Sequence, residues 1–170
     1  FLMASSAFAL DAKIVKKVGS GSATVTLPNG STVEATEGLA VPQGSKITTA
    51  AGAELYVEAF PGAVATIKPD SEVLVEKLAT EGPASNPTMQ EATLDLKRGN
   101  IVSQLDPAKK SINRYGIRTP KGVAAARGTV YSVNVNGLNY TIVTANGTVS
   151  VTPTAGGATI TLGAGGVSIS

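Results

Sequence analysis

Residues 115–133 read YGIRTPKGVAAARGTVYSV, and this stretch decides the predicted fold. It contains a turn around Thr119, Pro120 and Gly122, because proline removes a backbone donor and glycine allows backbone shapes that other residues resist. Three alanines follow, and their small side chains leave room for another group to pack closely against the backbone. Apolar and polar residues then alternate over residues 130–133, which is typical of a β-strand.

A lone arginine ends the alanine run of this stretch. One long cation among small residues predicts a guanidinium that bonds backbone carbonyls or a carboxylate inside the fold. Loss of one partner from such a buried charged network destabilises a protein by about 3–5 kcal/mol, so Arg127→Ala should lower the melting temperature strongly. The residues predicted to form this structural signature are Thr119, Pro120, Gly122, Arg127, Gly128 and Thr129.

The stretch resembles the signature of the FecR domain, an extracytoplasmic all-β module of bacteria, and the resemblance covers roughly residues 38–151. Four other segments are similar to strand-forming pieces of the family and occur in the family's order. They are VPQGSKITT at 41–49, AELYV at 53–57, IKPDSEV at 67–73 and LDLKRGNI at 94–101. One departure is FPGA at 60–63, where the family usually carries an Asp-Gly-Ser hairpin. The resemblance implies a fold rather than a function, since one fold serves many functions.

Composition and pattern agree with an all-β domain. Nineteen glycines and nine prolines, among many threonines and valines, indicate short strands and tight turns. We predict two packed antiparallel sheets or a short β-solenoid-like sandwich, with at most a short helix. Residues 79–92 lack periodicity and are predicted to form a surface loop, and residues 94–105 to form strands around a turn at Arg98-Gly99-Asn100. A type I′ hairpin turn is predicted at Asn29-Gly30, and further hairpin turns at Asn136-Gly137, Asn146-Gly147 and Gly156-Gly157.

We predict a single domain over residues 13–170, preceded by an apolar segment at residues 1–12. Residues 7–9, Ala-Phe-Ala, have the small-x-small form of a signal-peptide cleavage site. Two interpretations remain open: the segment is a signal-peptide remnant, or the mature chain begins at Phe1 and its apolar arm is ordered by packing. About ten apolar residues cannot span a bilayer, which needs about 20, so no membrane span is predicted.

The composition argues against several classes of function. The chain has neither cysteine nor histidine, so no disulfide, no Cys–His pair and no histidine ligand to a metal can form. The formal net charge of +2 is too small to indicate a nucleic-acid partner. Carboxylates at alternating strand positions are more typical of a solvent face than of acid–base catalysis. The carboxylates concerned are Glu54, Glu58, Asp70, Glu72 and Glu76. We predict no enzyme, no metal site and no cofactor.

Two functions remain, both in an extracytoplasmic location. The first is a structural subunit of a self-assembling cell-surface filament or layer, in which the apolar arm adds a strand to a neighbouring copy. The arm residues predicted to do this are Phe1, Leu2, Met3, Phe8 and Leu10. The acceptors would be strands in residues 128–170, which carry no charged side chain to protect their edges.

The second function is a sensing or protein-interaction module, as the resemblance implies. FecR-type proteins typically join a cytoplasmic region and a membrane helix to the extracytoplasmic domain, and relay signals to a sigma factor. Neither part is evident in these 170 residues, so we expect the structural function, with copies of the chain as partners and other cell-surface proteins as further ones.

Overall fold

The computed structural model describes residues 10–169, and the predicted arm residues Phe1, Leu2, Met3 and Phe8 lie outside them. The regular secondary structure of the described residues is β-strand, as predicted, apart from one 3-10 turn at Pro107–Lys109. Among these residues no helix is long and apolar enough to cross a membrane. The strands are β1 Ala12–Val18, β2 Ala23–Thr26, β3 Thr32–Glu34, β4 Ala40–Val41, β5 Lys46–Thr49, β6 Glu54–Phe60, β7 Ala63–Ile67, β8 Glu72–Glu81, β9 Met89–Leu105, β10 Asn113–Thr119, β11 Gly122–Ala126, β12 Val130–Asn136, β13 Asn139–Asn146, β14 Val149–Pro153, β15 Ile160–Leu162 and β16 Val167–Ile169.

The strands form two sheets that share β9, so that hydrogen bonding is continuous but does not close into a barrel. Sheet A has the order β3-β2-β5-β8-β9-β10-β11-β14-β15 and uses the first part of β9. Sheet B has the order β4-β1-β6-β7-β9-β12-β13-β16 and uses the second part. All pairs are antiparallel except β9 with β10, which is parallel.

The bend in β9 lies at Gly99, between its two parts. Even-numbered residues from Gln90 to Leu96 are buried before the bend, whereas the buried residues after it are odd-numbered, beginning at Ile101. Gly99 has a φ of +97°, and a Cβ at this position would lie 2.1 Å from Ser71 Oγ. Glycine therefore lets one strand change the face that it buries and pass from one sheet to the other. The predicted turn at Arg98-Gly99-Asn100 was wrong, since the strand continues through it.

A single hydrophobic core lies between the two sheets. The Tyr115 ring of sheet A meets Phe60 and Tyr131 of sheet B edge to face, with ring centroids 6.3 and 6.4 Å apart. The Tyr131 hydroxyl donates a hydrogen bond to the carbonyl of Ala124 across the same gap, at 3.1 Å. These contacts show a β-sandwich, the first of the two predicted architectures.

The start of the domain and its one long loop differ from the prediction. Ala12, placed in the predicted arm, is buried and pairs with Val41, and Leu10 packs partly against the core. The predicted loop at residues 79–92 is shorter, because β8 and β9 pair as far as Glu81 opposite Met89. Main-chain pairing needs no side-chain periodicity, and the sequence pattern missed it for that reason.

Two of the four predicted hairpin turns differ from the prediction, one in its turn type and the other because no hairpin forms there. At Asn29-Gly30 only the glycine has a positive φ, so the hairpin is not closed by the predicted type I′ turn, which needs positive φ at both residues. Asn146-Gly147 joins β13 in sheet B to β14 in sheet A and makes no hairpin. The Asn136-Gly137 and Gly156-Gly157 hairpins are confirmed.

Candidate functional site

The turn between β10 and β11 is held by the side chain of Thr119. Its buried Oγ1 accepts hydrogen bonds from the backbone N–H groups of Lys121 and Gly122 and donates one to the carbonyl of Gly122. A Cβ on Gly122 would lie 2.8 Å from the carbonyl oxygen of Thr152. Pro120 is exposed at the tip. The turn fixes β11 between β10 and β14, which brings the small residues of the signature stretch into the middle of sheet A.

Strand β11 divides its alanines between the two faces of sheet A. Ala124 and Ala126 are buried in the core, whereas Ala125 is exposed on the outer face. On the outer face of β10, opposite Ala125, lies Gly116, where a Cβ would be 3.2 Å from Cγ1 of Val123. The outer face of sheet A is therefore recessed at this point, because the paired positions Gly116 and Ala125 carry no side chain larger than a methyl group.

This recessed surface continues across four strands as one row of small residues. Thr93 of β9 pairs with Gly116, Gly116 pairs with Ala125, and Ala125 pairs with Ser150 of β14. Residues that are direct partners on neighbouring strands share one face of the sheet. The row forms the floor of a groove of about 920 Å³ on the outer face of sheet A. We call it the outer groove.

Three cationic side chains line the outer groove: Lys110, Arg114 and Arg127. All three are exposed, and none lies within 4.0 Å of a carboxylate in the described part of the chain. Glu91 is the acidic group of the lining, and it forms an ion pair with Lys77 at 3.2 Å. The groove thus presents positive charge above an uncharged floor.

The structure corrects the predicted role of Arg127, whose side chain is exposed rather than buried. Alternation along β11 places the odd-numbered residues outside, and Arg127 continues that series beyond the end of the strand. Its backbone carbonyl is held by a 3.4 Å hydrogen bond from the side-chain amide of Asn113, which is buried and also accepts one from Gln90. The main chain is therefore anchored while the guanidinium faces the groove.

The next two signature residues fix the chain after Arg127. Gly128 lies against the 3-10 turn, where a Cβ would be 2.7 Å from Cα of Pro107. Thr129 is buried; its carbonyl accepts a hydrogen bond from the Leu105 N–H at 2.9 Å, and its Oγ1 donates one to Oδ1 of Asn146 at 3.2 Å. This close packing holds one wall of the groove in place.

Ion pairs lie beside the groove, on the side nearest β8. The Arg118 guanidinium donates to Oε2 of Glu76 at 2.8 Å, and this hydrogen bond raises the pKa of Arg118. Nζ of Lys97 lies close to the carboxylate of Asp95. These carboxylates neutralise the cations beside the groove, which leaves Lys110, Arg114 and Arg127 as the cations of its lining without a carboxylate partner among the described residues.

Two of the other acidic residues, Glu54 and Glu72, form ion pairs with lysines. Glu54 bonds Lys68 at 3.0 Å, and that hydrogen bond holds the pKa of the carboxyl below its usual value. Glu72 lies 3.8 Å from Lys46. No group of three acidic residues that could hold a metal ion occurs within residues 10–169.

Sequence reasoning identified the alanine run and Arg127 but missed Lys110, Arg114, Thr93 and Ser150 of the groove. The pattern Arg114-Tyr115-Gly116-Ile117-Arg118 would have indicated a strand with a gap on its polar face. The other members could not be found, because only the pairing of β9 with β10 and of β11 with β14 brings them together.

The family model described as FecR protein matches residues 45–150, which is more than half of the chain. The chain belongs to the FecR family. The matched segment includes every residue that lines the outer groove, from Glu91 to Ser150. No curated protein matches the FecR-family chain significantly.

Two crystal structures of a "putative anti-sigma factor" from Parabacteroides distasonis are similar in fold. Their TM-scores are 0.54 and 0.51, at 12% and 11% sequence identity. In both comparisons the match covers 74% of this chain and 58% of the Parabacteroides protein. The chain thus spans little more than half of that protein's length, and at this identity the likeness shows the fold of the FecR-family domain alone.

Proposed function

We propose that the chain is an extracytoplasmic sensing module of the FecR type, which acts by binding another protein. The observation that carries this proposal is the family match over residues 45–150. The outer groove supports it, because the groove lies within the matched segment and combines a small-residue floor with exposed cations. Concave surfaces with a few placed polar groups are typical of binding sites.

The filament subunit is the competing hypothesis, and the comparisons favour the sensing module over it. The donor residues Phe1, Leu2, Met3 and Phe8 lie outside the described residues. Leu10, the remaining arm residue, packs against the core of its own domain. The strands of residues 128–170 do include two sheet edges, β15 and β16, and Ile160 on β15 is exposed. These edges leave strand addition as an outcome that an experiment must be able to detect.

Site-specific photo-cross-linking in the cell envelope tests the proposed function. A photo-reactive amino acid at Thr148, which is exposed and lines the groove outside the row of small residues, probes the proposed contact surface. The same amino acid at Lys13, exposed on β1 of sheet B, is the matched control. We expect one adduct with a different envelope protein from position 148 and none from position 13.

Two other outcomes would contradict the proposal. Adducts of the chain with itself alone, formed from position 148 or from a third probe at Ile160 on the β15 edge, would indicate a polymer subunit instead. The absence of any adduct from position 148, in cells that make the folded protein, would remove the groove as its contact surface.

A further inference from the structure

We propose that the outer groove binds an acidic, extended peptide segment of the partner protein, running across the strands of sheet A. The proposal rests on the proposed function, and it adds the chemistry and direction of the bound segment. It is carried by the row Thr93, Gly116, Ala125 and Ser150 and by the three cations beside that row.

The shape of the floor fits one extended chain. Neighbouring strands lie about 4.8 Å apart, so the row across four strands is about 14 Å long. An extended peptide rises about 3.3 Å per residue and would cover this distance with roughly four residues. Because Ala125 is exposed and has only a methyl group, the backbone of the segment can approach the sheet closely there, whereas Gly116 is buried beside the Val123 side chain. The hydroxyl groups of Thr93 and Ser150 stand at the two ends of the row.

The charges favour carboxylates in the bound segment. Lys110, Arg114 and Arg127 have no carboxylate partner among the described residues, although the cations on the neighbouring strand positions do. An arginine guanidinium presents paired N–H donors that match the two oxygens of a carboxylate, and two of the three cations are arginines. Glu91 is already paired with Lys77. An acidic segment could therefore form ion pairs with cations that have no other carboxylate partner among the described residues.

A single-stranded nucleic acid fits this groove less well, although it is also anionic. Proteins bind single strands by stacking bases on exposed aromatic rings. Among the described lining residues the aromatic one is Tyr115, whose ring is buried beneath the sheet with only 2% of the residue exposed. The floor offers no ring for a base, whereas a peptide needs none.

Titration with synthetic peptides tests the proposal on the whole chain. The probe is an eight-residue peptide of alternating glutamate and threonine; the matched control has lysine in place of glutamate. Backbone amide signals report the location of binding, since Gly116, Gly128 and Gly147 all line the groove. We expect the acidic peptide to shift these signals, to leave those of β1 unchanged and to bind more weakly as salt is raised.

Two variants of equal net charge separate local recognition from general attraction. In Lys110→Gln/Arg114→Gln/Arg127→Gln the groove loses its cations, and in Lys13→Gln/Lys16→Gln/Lys17→Gln strand β1 loses as many. Both change the formal net charge from +2 to −1. Exposed ion pairs contribute modestly, so three of them predict roughly a tenfold loss of affinity for the groove variant. The β1 variant should bind as the unchanged chain does.

A third variant tests the shape of the groove without changing its charge. Ala125→Leu fills the middle of the row with an exposed side chain, which the fold should tolerate, and we expect it to abolish peptide binding. The proposal is overturned if both peptides bind equally, if the two charge variants weaken binding equally, or if a sulfated oligosaccharide binds the groove more tightly than the peptide. A cross-link from position 148 without peptide binding would refute the acidic segment and leave the proposed function intact. Peptide binding without any cross-link would refute the proposed function alone.

Discussion

The hydroxyl groups of Ser103 and Tyr115 lie 2.8 Å apart and form a buried hydrogen bond between the two sheets. Ser103 belongs to the second part of β9, in sheet B, and Tyr115 to β10, in sheet A. Both residues are almost fully buried. The tyrosine that begins the signature stretch therefore joins the sheet carrying the groove to the sheet behind it.

Tyr115→Phe should destabilise the domain, because it leaves the Ser103 hydroxyl buried without this partner. The expected loss is about 1–3 kcal/mol, measured as a lower midpoint of urea unfolding. Tyr140→Phe is the control: Tyr140 is also largely buried, but its hydroxyl has no hydrogen bond within residues 10–169. Equal losses for the two variants would show that the Ser103 contact is unimportant.

Stability should fall at high pH because of two buried tyrosines. Burial raises the pKa of Tyr115 and of Tyr131 above the usual value of about 10. The folded protein therefore keeps protons that the unfolded chain releases, so this stabilisation is fully present below pH 10 and is lost as the pH rises further. Each tyrosine should reduce the free energy of unfolding by about 1.4 kcal/mol per pH unit above that value. Thermal unfolding between pH 8 and pH 11.5 measures the slope, which Tyr115→Phe should make shallower.

Gly99→Ala should be among the most destabilising single substitutions, since it combines a positive φ with a Cβ placed 2.1 Å from Ser71 Oγ. Backbone strain of about 1–3 kcal/mol and overpacking of similar size are expected together. Gly137 also has a positive φ, but a Cβ added there would have no atom within 4 Å. Gly137→Ala should therefore show the backbone strain alone. Chemical unfolding of the two variants compares them directly, and similar losses would argue against the bend at Gly99.

Arg127→Ala should change stability by less than about 0.5 kcal/mol, because the side chain is exposed and bonds no described residue. The neighbouring Gly128→Ala should cost several times more, since its Cβ would meet the backbone of Pro107 at 2.7 Å. Differential scanning calorimetry distinguishes them. A strong loss for Arg127→Ala would restore the buried network that the sequence predicted.

The full chain and a chain that begins at Leu10 should both sediment as monomers. The sensing module needs no contact between copies, and keeping Leu10 preserves its packing against the core. Sedimentation velocity over a range of concentrations measures this. Polymers that form from the full chain and not from the shorter one would support strand addition by residues 1–9.

The sequence predicted the strands well where apolar residues alternate on a buried face. Val130–Asn136 and Asn139–Asn146 form the hairpin that their pattern and their Asn-Gly turn indicated. It failed at Arg98-Gly99-Asn100, because a glycine that bends a continuous strand has the same local signature as one that ends it. The same ambiguity affected Asn146-Gly147, where the chain changes sheets instead of reversing.

The groove was less accessible to sequence reasoning than the fold. Ala125 and Arg127 lie close together in the chain, and the sequence predicted close packing and a buried guanidinium there. Thr93 joins the same row only through the parallel pairing of β9 with β10, which no local pattern specifies. Arg127 was predicted to be buried because its neighbours are small, whereas strand alternation turns its side chain outward.

The sharing of β9 has a consequence for how the domain loses its structure. Because one continuous strand supplies hydrogen bonds to both sheets, and the sheets share one hydrophobic core, we expect the two sheets to open in one cooperative step. A molecule held on sheet A would then slow amide hydrogen exchange in sheet B as well, in strands that it never touches. Binding on one face would in this way stabilise both sheets, because a single continuous strand belongs to each.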